Sequence, residues 1–143
     1  EIYSVPVDEL PEDKSYSCIV ATQVIEHVYE PLEFVKTIFK HLSPGGKVLL
    51  STPDMASFWR RIMGKRWYSF KVPEHVVFYD ANTLSKLLLK AGFVGAAELP
   101  CSHAFPLGLV CEKLGFSSPD MLANTNIWIP KTTVSVVGQK IKE

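Results

Sequence analysis

Residues 16–54 read YSCIVATQVIEHVYEPLEFVKTIFKHLSPGGKVLLSTPD, and the changes of period inside this stretch decide the fold. Cys18 to Thr22 is a short apolar run rich in β-favouring residues, which predicts a buried strand. Pro31 suits the first helical position, and Leu32, Val35, Ile38, Phe39 and Leu42 follow at helical spacing. Ser43-Pro44-Gly45-Gly46 stops that helix. Lys47 to Thr52 is then a second buried strand, closed by Pro53. Strand, helix and strand at this length form a βαβ unit, whose crossover is almost always right-handed, so the two strands are expected to be parallel neighbours.

On the carboxyl-terminal side, Asp54 to Tyr79 shows no single period. Phe58, Trp59, Trp67, Tyr68 and Phe70 are interleaved there with Arg60, Arg61, Lys65 and Arg66. Asp80 then reads as an N-cap for a helix with Leu84, Leu87, Leu88 and Ala91 on one stripe, and Gly92 as its C-terminal cap. Phe93 to Leu99 reads as a strand. Pro100 to Pro130 reads as a long connection holding a helix near Leu107 to Leu114, and Thr132 to Gln139 as a final strand. The chain has no internal repeat, low-complexity tract or linker, so residues 1–143 are read as one α/β domain.

Composition narrows the partners. The 143 residues are 47% hydrophobic and 21% charged, enough for a real core. Fifteen Lys and Arg balance fifteen Asp and Glu, so no global field attracts nucleic acid or an anionic membrane, and an acidic partner must be recognised locally. No apolar run approaches the roughly 20 residues of a membrane span. Cys18, Cys101 and Cys111 form no CxxC pair, and two of them sit in apolar surroundings typical of buried free thiols. A reducing, cytoplasmic setting is the expectation.

The run from Tyr16 to Val28, followed by Pro31 and then Leu42 to Asp54, resembles the fourth-strand to fifth-strand region of class I S-adenosylmethionine-dependent methyltransferases. Gly64-Lys-Arg-Trp67, Pro73-Glu-His75 and Lys90-Ala-Gly-Phe93 narrow the likeness to a subgroup acting on small molecules, and it covers the chain from about Val7 to the end. The resemblance implies a Rossmann-like fold with sheet order 3-2-1-4-5-7-6. The four strands read here would be 4, 5, 7 and 6, a partial sheet with flanking helices. The glycine-rich loop after strand 1 and the acidic residue ending strand 2 are not in the chain. The expectation is therefore a domain without its amino-terminal cofactor-binding half, and a strand 4 with one bare edge. That edge needs a cover, either the missing segment or a second chain such as a homodimer partner.

The resemblance also distributes roles. S-adenosylmethionine is the implied cofactor and a small molecule the acceptor. Asp8, in Pro6-Val-Asp-Glu-Leu10, sits where the family has a carboxylate accepting from the adenine amino group, with Glu9 and Leu10 beside it. Gln23 and Val24, at the end of strand 4, would line the cofactor cleft with their backbone, because ligands of open parallel sheets bind at the carboxyl ends of the strands. Glu26, His27 and His75 are the candidate catalytic residues. In some relatives an E-x-x-E-H run with a distant His binds a divalent metal. Here Gln23 replaces the first carboxylate and lowers the expected affinity for Mg²⁺, so no metal ligand is assigned. Ser17 stands where Asp is common, and Asp54 reads as an exposed loop acid near the acceptor. The basic and aromatic stretch from Trp59 to Phe70 could grip an anionic or aromatic acceptor, or be a solvated helix face with its aromatics turned inward.

Two functions follow as expectations. The first is methyl transfer to a small metabolite or a glycan- or lipid-pathway intermediate, at oxygen, with the absent half needed for activity. The second is a non-catalytic methyltransferase-like module that uses the bare strand edge for protein interaction.

Overall fold

The computed structural model describes residues 5–99, 101–117, 119 and 124–142. Four strands form the main sheet: β1 (Tyr16–Thr22), β2 (Leu42–Pro53), β3 (Val94–Leu99) and β6 (Thr133–Gln139), in the order β1-β2-β6-β3. β1 and β2 pair in parallel, with Ile19 opposite Val48 and Thr22 opposite Ser51. β6 runs antiparallel to both β2 and β3. In family numbering this is 4-5-7-6, the order the resemblance implies.

The helices follow their sequence signals closely. α1 (Pro31–Lys40) starts on Pro31 and buries Val35 and Ile38. α3 (Ala81–Lys90) is capped by Asp80, whose Oδ1 accepts from the Thr83 N–H at 2.8 Å and from the Thr83 hydroxyl at 2.6 Å. Leu84 and Leu88 of α3 join Val35 and Ile38 in one core with Val48, Leu50, Val134 and Val136 from the sheet. All eight are at most 2% exposed. Lys140 closes the base of this layer, with its Nζ donating to the carbonyls of Phe39 and Leu42 at 2.9 and 2.7 Å.

α1 ends at Lys40 with His41 as its cap, earlier than expected, so Leu42 and the Pro-Gly-Gly segment lie within β2 rather than at the helix end. Between the pairs Tyr16–Leu42 and Cys18–Lys47 the register jumps, so the extra residues are taken up as a bulge. Gly45 has φ +76°, and a Cβ on Gly46 would sit 2.8 Å from the Ser43 carbonyl and 3.1 Å from the Tyr16 carbonyl. The close approach of two backbones needs glycine there.

Two sequence expectations are corrected. β1 is not a buried strand. Ile19 and Ala21 meet the core, whereas Cys18, Val20 and Thr22 are exposed, because α1 and α3 cover one face only and β1 ends the described sheet. For the same reason Cys18 is not a buried thiol, and Cys101 and Cys111 are only half-buried. The connection after β3 is also more ordered than its pattern suggested. It holds β4 (Ser102–Pro106), α4 (Leu107–Leu114) and β5 (Asn126–Pro130), with β4 and β5 paired antiparallel as a separate two-stranded sheet. α2 (Phe58–Met63) and a 3-10 turn at Gly64–Arg66 organise the irregular segment before α3.

The Asp80 cap gives a direct test. Its two bonds from Thr83 hold the carboxyl below the usual value near 3.8. A lowered pKa contributes stability that is present above the unfolded value and lost as pH falls through the folded one. Asp80→Ala should cost about 1 kcal/mol at pH 7. That is a fall of about 3–5 °C in melting temperature. The difference from wild type should close as the pH falls through the lowered folded-state pKa of Asp80, in thermal unfolding followed by circular dichroism.

Candidate functional site

At the carboxyl end of β1 the chain turns abruptly. Gln23 has φ +55°, a left-handed conformation uncommon for a residue with a side chain, and its N–H donates to the Ser51 carbonyl of β2 at 2.8 Å. The 3-10 turn Ile25–His27 follows, with Ile25 and Glu26 fully buried and His27 exposed. The turn is fastened to a distant segment through its backbone. The Glu26 carbonyl accepts from the N–H groups of both Val76 and Val77, at 2.9 and 3.2 Å. This bond pair brings His75 alongside a turn 48 residues earlier in the chain.

The three predicted catalytic residues come together here. The His27 Nδ1–H donates to the Glu74 carbonyl at 2.7 Å, and since a carbonyl can only accept, Nδ1 carries a proton and Nε2 is the nitrogen left for a ligand. The rings of His27 and His75 meet edge to face at 4.7 Å. One ligand-capable atom from each of Glu26, His27 and His75 can be chosen so that all lie within 4.8 Å of one another. They face a cleft of about 240 Å³ whose wall also includes Gln23, Tyr68 and Lys71. Asp8, Glu9, Leu10 and Val24 do not line this cleft. Asp8 and Glu9 are exposed on a 3-10 turn (Val7–Glu9), and Val24 is exposed at the strand end.

Glu26 is the centre of an unusual polar interior. Its Oε2 accepts from the Thr52 hydroxyl at 3.0 Å, while its buried Oε1 has no partner. Among the described residues, the buried Nδ1 of His75 and the hydroxyl of Tyr79 are equally unpartnered. An unpaired buried polar group costs on the order of 1–3 kcal/mol, more for a charged one, so this concentration marks a place where binding is favoured over internal satisfaction. Burial, and then the Glu26 charge, push the Tyr79 hydroxyl up to about 12. Burial likewise raises Tyr68. The hydroxyls of Ser69, Thr132 and Thr133 oppose that shift, and Glu26 adds to it. Both phenols are therefore hydrogen-bond donors at neutral pH.

Sequence reasoning missed Thr52 and Tyr79, whereas Tyr68 and Ser69 lie in the stretch from Trp59 to Phe70 that it offered as an acceptor contact. A Thr ending a β-run and a Tyr before an N-cap carry no pattern that distinguishes them from ordinary core residues. Asp54 is half-buried rather than exposed, with Oδ1 accepting from the Ala56 N–H at 2.8 Å. Burial raises its pKa against that bond, and the charges of Glu98 and Asp80 add a little. It lines a different hollow, beside Glu98 and Lys131. Ser17 is exposed on β1, and its departure from the family pattern has no structural consequence visible here.

A parallel strand pair with polar side chains gathered at its carboxyl end defines a Rossmann-like α/β protein with a ligand site at the strand ends. A family model described as "Methyltransferase domain" matches residues 4–98. A "probable S-adenosylmethionine-dependent methyltransferase" of Mycolicibacterium smegmatis is 36% identical over 107 residues, which span 66% of this chain and 40% of that relative. A ubiquinone biosynthesis O-methyltransferase of Rickettsia conorii is 37% identical over 46 residues, 32% of this chain and 16% of that protein. Among solved structures, the fold is shared with a methyltransferase of Archaeoglobus fulgidus described as S-adenosylmethionine-dependent (TM-score 0.63, 14% identity, 96% of this chain and 66% of that one). It is also shared with a "possible histamine N-methyltransferase" of Thermotoga maritima (TM-score 0.62, 20% identity, 94% and 61%). The chain belongs to the class I S-adenosylmethionine-dependent methyltransferase family, and it spans about 40% of the length of the mycobacterial relative.

The donor set of Glu26, His27 and His75 suits a divalent cation. Glu26 Oε1 and His75 Nδ1 are buried without partners, and His27 offers Nε2 with its other nitrogen fixed on a carbonyl, the usual outer-shell arrangement for a ligating imidazole. Two imidazoles and one carboxylate favour a borderline ion such as Zn²⁺ or Co²⁺ over Mg²⁺.

The electrostatic link between Glu26 and Tyr79 can be measured. Glu26→Gln removes a negative charge while keeping the shape of the side chain, so the Tyr79 pKa should move down from about 12. A pH titration of ¹³Cζ-labelled tyrosines would show it, and a Tyr79 midpoint that does not move would disprove the coupling.

Proposed function

We propose that this chain supplies the acceptor side of an S-adenosylmethionine-dependent methyltransferase that methylates an oxygen of a small molecule. The observation that carries the reading is the convergence of Glu26, His27 and His75 on one cleft at the carboxyl ends of β1 and β2. The short likeness to a ubiquinone biosynthesis O-methyltransferase supports oxygen as the methylated atom. Asp8, Glu9, Leu10, Gln23 and Val24 are proposed to face the cofactor, with the Asp8 carboxylate toward its adenine. The left-handed turn at Gln23 supports this by opening backbone at the strand end.

The residues present divide the work as follows. The cleft positions an acceptor hydroxyl in line with the sulfonium methyl, which is most of what a displacement of this kind requires. His27 Nε2 takes the hydroxyl proton as the new O–CH₃ bond forms and the S–CH₃ bond breaks, the bonding electrons staying on sulfur as a neutral thioether. The Glu74 carbonyl holds the ring in the tautomer that can accept at Nε2. Glu26 stabilises the resulting imidazolium and is itself held by Thr52. His75 walls the ring on its edge.

The glycine-rich loop that grips methionine and ribose in this family is not in the chain, so isothermal titration of S-adenosylhomocysteine should give a Kd weaker than about 1 mM (−4.1 kcal/mol). Micromolar binding would overturn this division of the site. Joined to the glycine-rich βαβ segment of a methyltransferase of known structure, the chain should transfer labelled methyl to members of a panel of small phenols. His27→Ala should slow that transfer about 100-fold with S-adenosylhomocysteine affinity unchanged. An unaltered rate would remove His27 from the mechanism.

The clustered donors favour a second reading of the same cleft, in which Glu26, His27 and His75 hold a metal that acidifies the acceptor hydroxyl. Co²⁺ added to the chain should produce d–d absorption and shift both histidine ring resonances, and Glu26→Gln should weaken the effect about tenfold. Absence of a Co²⁺ spectrum would leave His27 as the proton acceptor.

A further inference from the structure

Three openings meet at Tyr68. The first is the Glu26–His27–His75 cleft. The second is an apolar pocket of about 90 Å³ between α2, α4 and β5, with no polar atom exposed in its wall. The third is a shallow groove carrying Lys65, Arg66 and Lys71. Tyr68 borders all three, Lys71 borders both the cleft and the groove, and Leu109 borders both the pocket and the groove. A single small molecule can therefore touch all three at once.

Each opening selects its own chemistry. The apolar pocket offers nothing to hydrogen-bond. It is formed where the indole of Trp59 is pinned to β5 by its N–H donating to the Pro130 carbonyl at 3.0 Å, so its wall is preformed. Its volume of about 90 Å³ is below the ~150 Å³ of a cavity that admits benzene, and matches a short branched aliphatic group better than a ring. The groove is cationic, with three positive side chains against the single carboxylate of Glu112. None of the three pairs with a carboxylate among the described residues. Trp67, 2% exposed, lines the same groove, and its buried Nε1–H has no acceptor among the described residues. Three cations without a carboxylate partner among the described residues, on one groove wall, suit an anion.

We infer that the acceptor is a small amphiphilic anion, with a short branched aliphatic group in the apolar pocket and a carboxylate or phosphate against Lys65, Arg66 and the Trp67 indole. This rests on the reading of the Glu26 cleft as the acceptor site, since the hydroxyl to be methylated must lie between the two anchors, over Tyr68. It places substrate selection on the segment from Trp59 to Lys71 and on α4, outside the sheet.

The test is cofactor-free binding to the 143-residue chain, so that its failure is separable from failure of methyl transfer. 4-Methylpentanoate or 3-methylbutyl phosphate should bind at least tenfold more tightly than both propanoate, which lacks the branched group, and 4-methylpentan-1-ol, which lacks the charge. Ile62→Asp puts a charge on the rim of the apolar pocket and should abolish the advantage over propanoate. Lys65→Glu with Arg66→Glu should abolish the advantage over the alcohol. All three positions are exposed, so the fold is retained, which circular dichroism would verify. Equal affinity for all four probes, or variants that leave the affinities within twofold of wild type, would overturn the inference. Selective binding by a chain whose sheet-completed form transfers no methyl group would uphold the amphiphile site and overturn only the methyltransferase reading.

Discussion

The carbonyl of Glu26 accepts two backbone N–H groups, from Val76 and Val77, and the rest of the site hangs on that pair of bonds. Through them the segment after the cis Val72–Pro73 bond is fastened to the turn after β1, so that His75 faces His27 and the Glu74 carbonyl can fix the His27 ring. The Glu26 side chain works in the other direction, toward β2, where Thr52 donates to it. One residue thereby ties together the end of β1, the end of β2 and the segment leading into α3. Its remaining carboxylate oxygen is buried and has no partner among the described residues.

The sheet is two-sided in its chemistry. α1 and α3 seal the core on one face, with Leu84 and Leu88 against Val134 and Val136, while β1 shows Cys18 and Val20 to the surroundings. Val20, 58% exposed, is too large an apolar surface to be neutral in an edge strand. The protein interaction reading of the chain rests on this strand alone, whereas the catalytic reading rests on the Glu26 cleft at its end. The two readings meet at one strand, because β1 is also the element that leads into Gln23 and Glu26.

Substrate choice and chemistry are housed in different layers. The turn after β1 and the segment before α3 carry the groups proposed for proton transfer, while α2, α4, β5 and the Gly64 to Lys71 stretch carry the apolar pocket and the cationic groove, with Tyr68 common to all three openings. Such a division lets the outer elements vary without disturbing the carboxyl ends of the strands, in keeping with the general placement of function on segments carried by a rigid scaffold.

The sequence alone determined the strands of the main sheet through their periodicity, and the order of those strands through the family resemblance. Periodicity is a local property, and Pro31, Asp80 and Gly92 punctuate it where the structure does. It also brought Glu26, His27 and His75 forward as candidates, through motif order. Only the tertiary structure decided that these three share one cleft, because the bond from Val76 and Val77 to Glu26 spans some fifty residues and leaves no periodic trace. The exposure of β1, the β4–β5 pairing and the meeting of three openings at Tyr68 were equally hidden. Each depends on which faces of neighbouring elements are covered, and a strand's own residues do not record what lies beyond its edge.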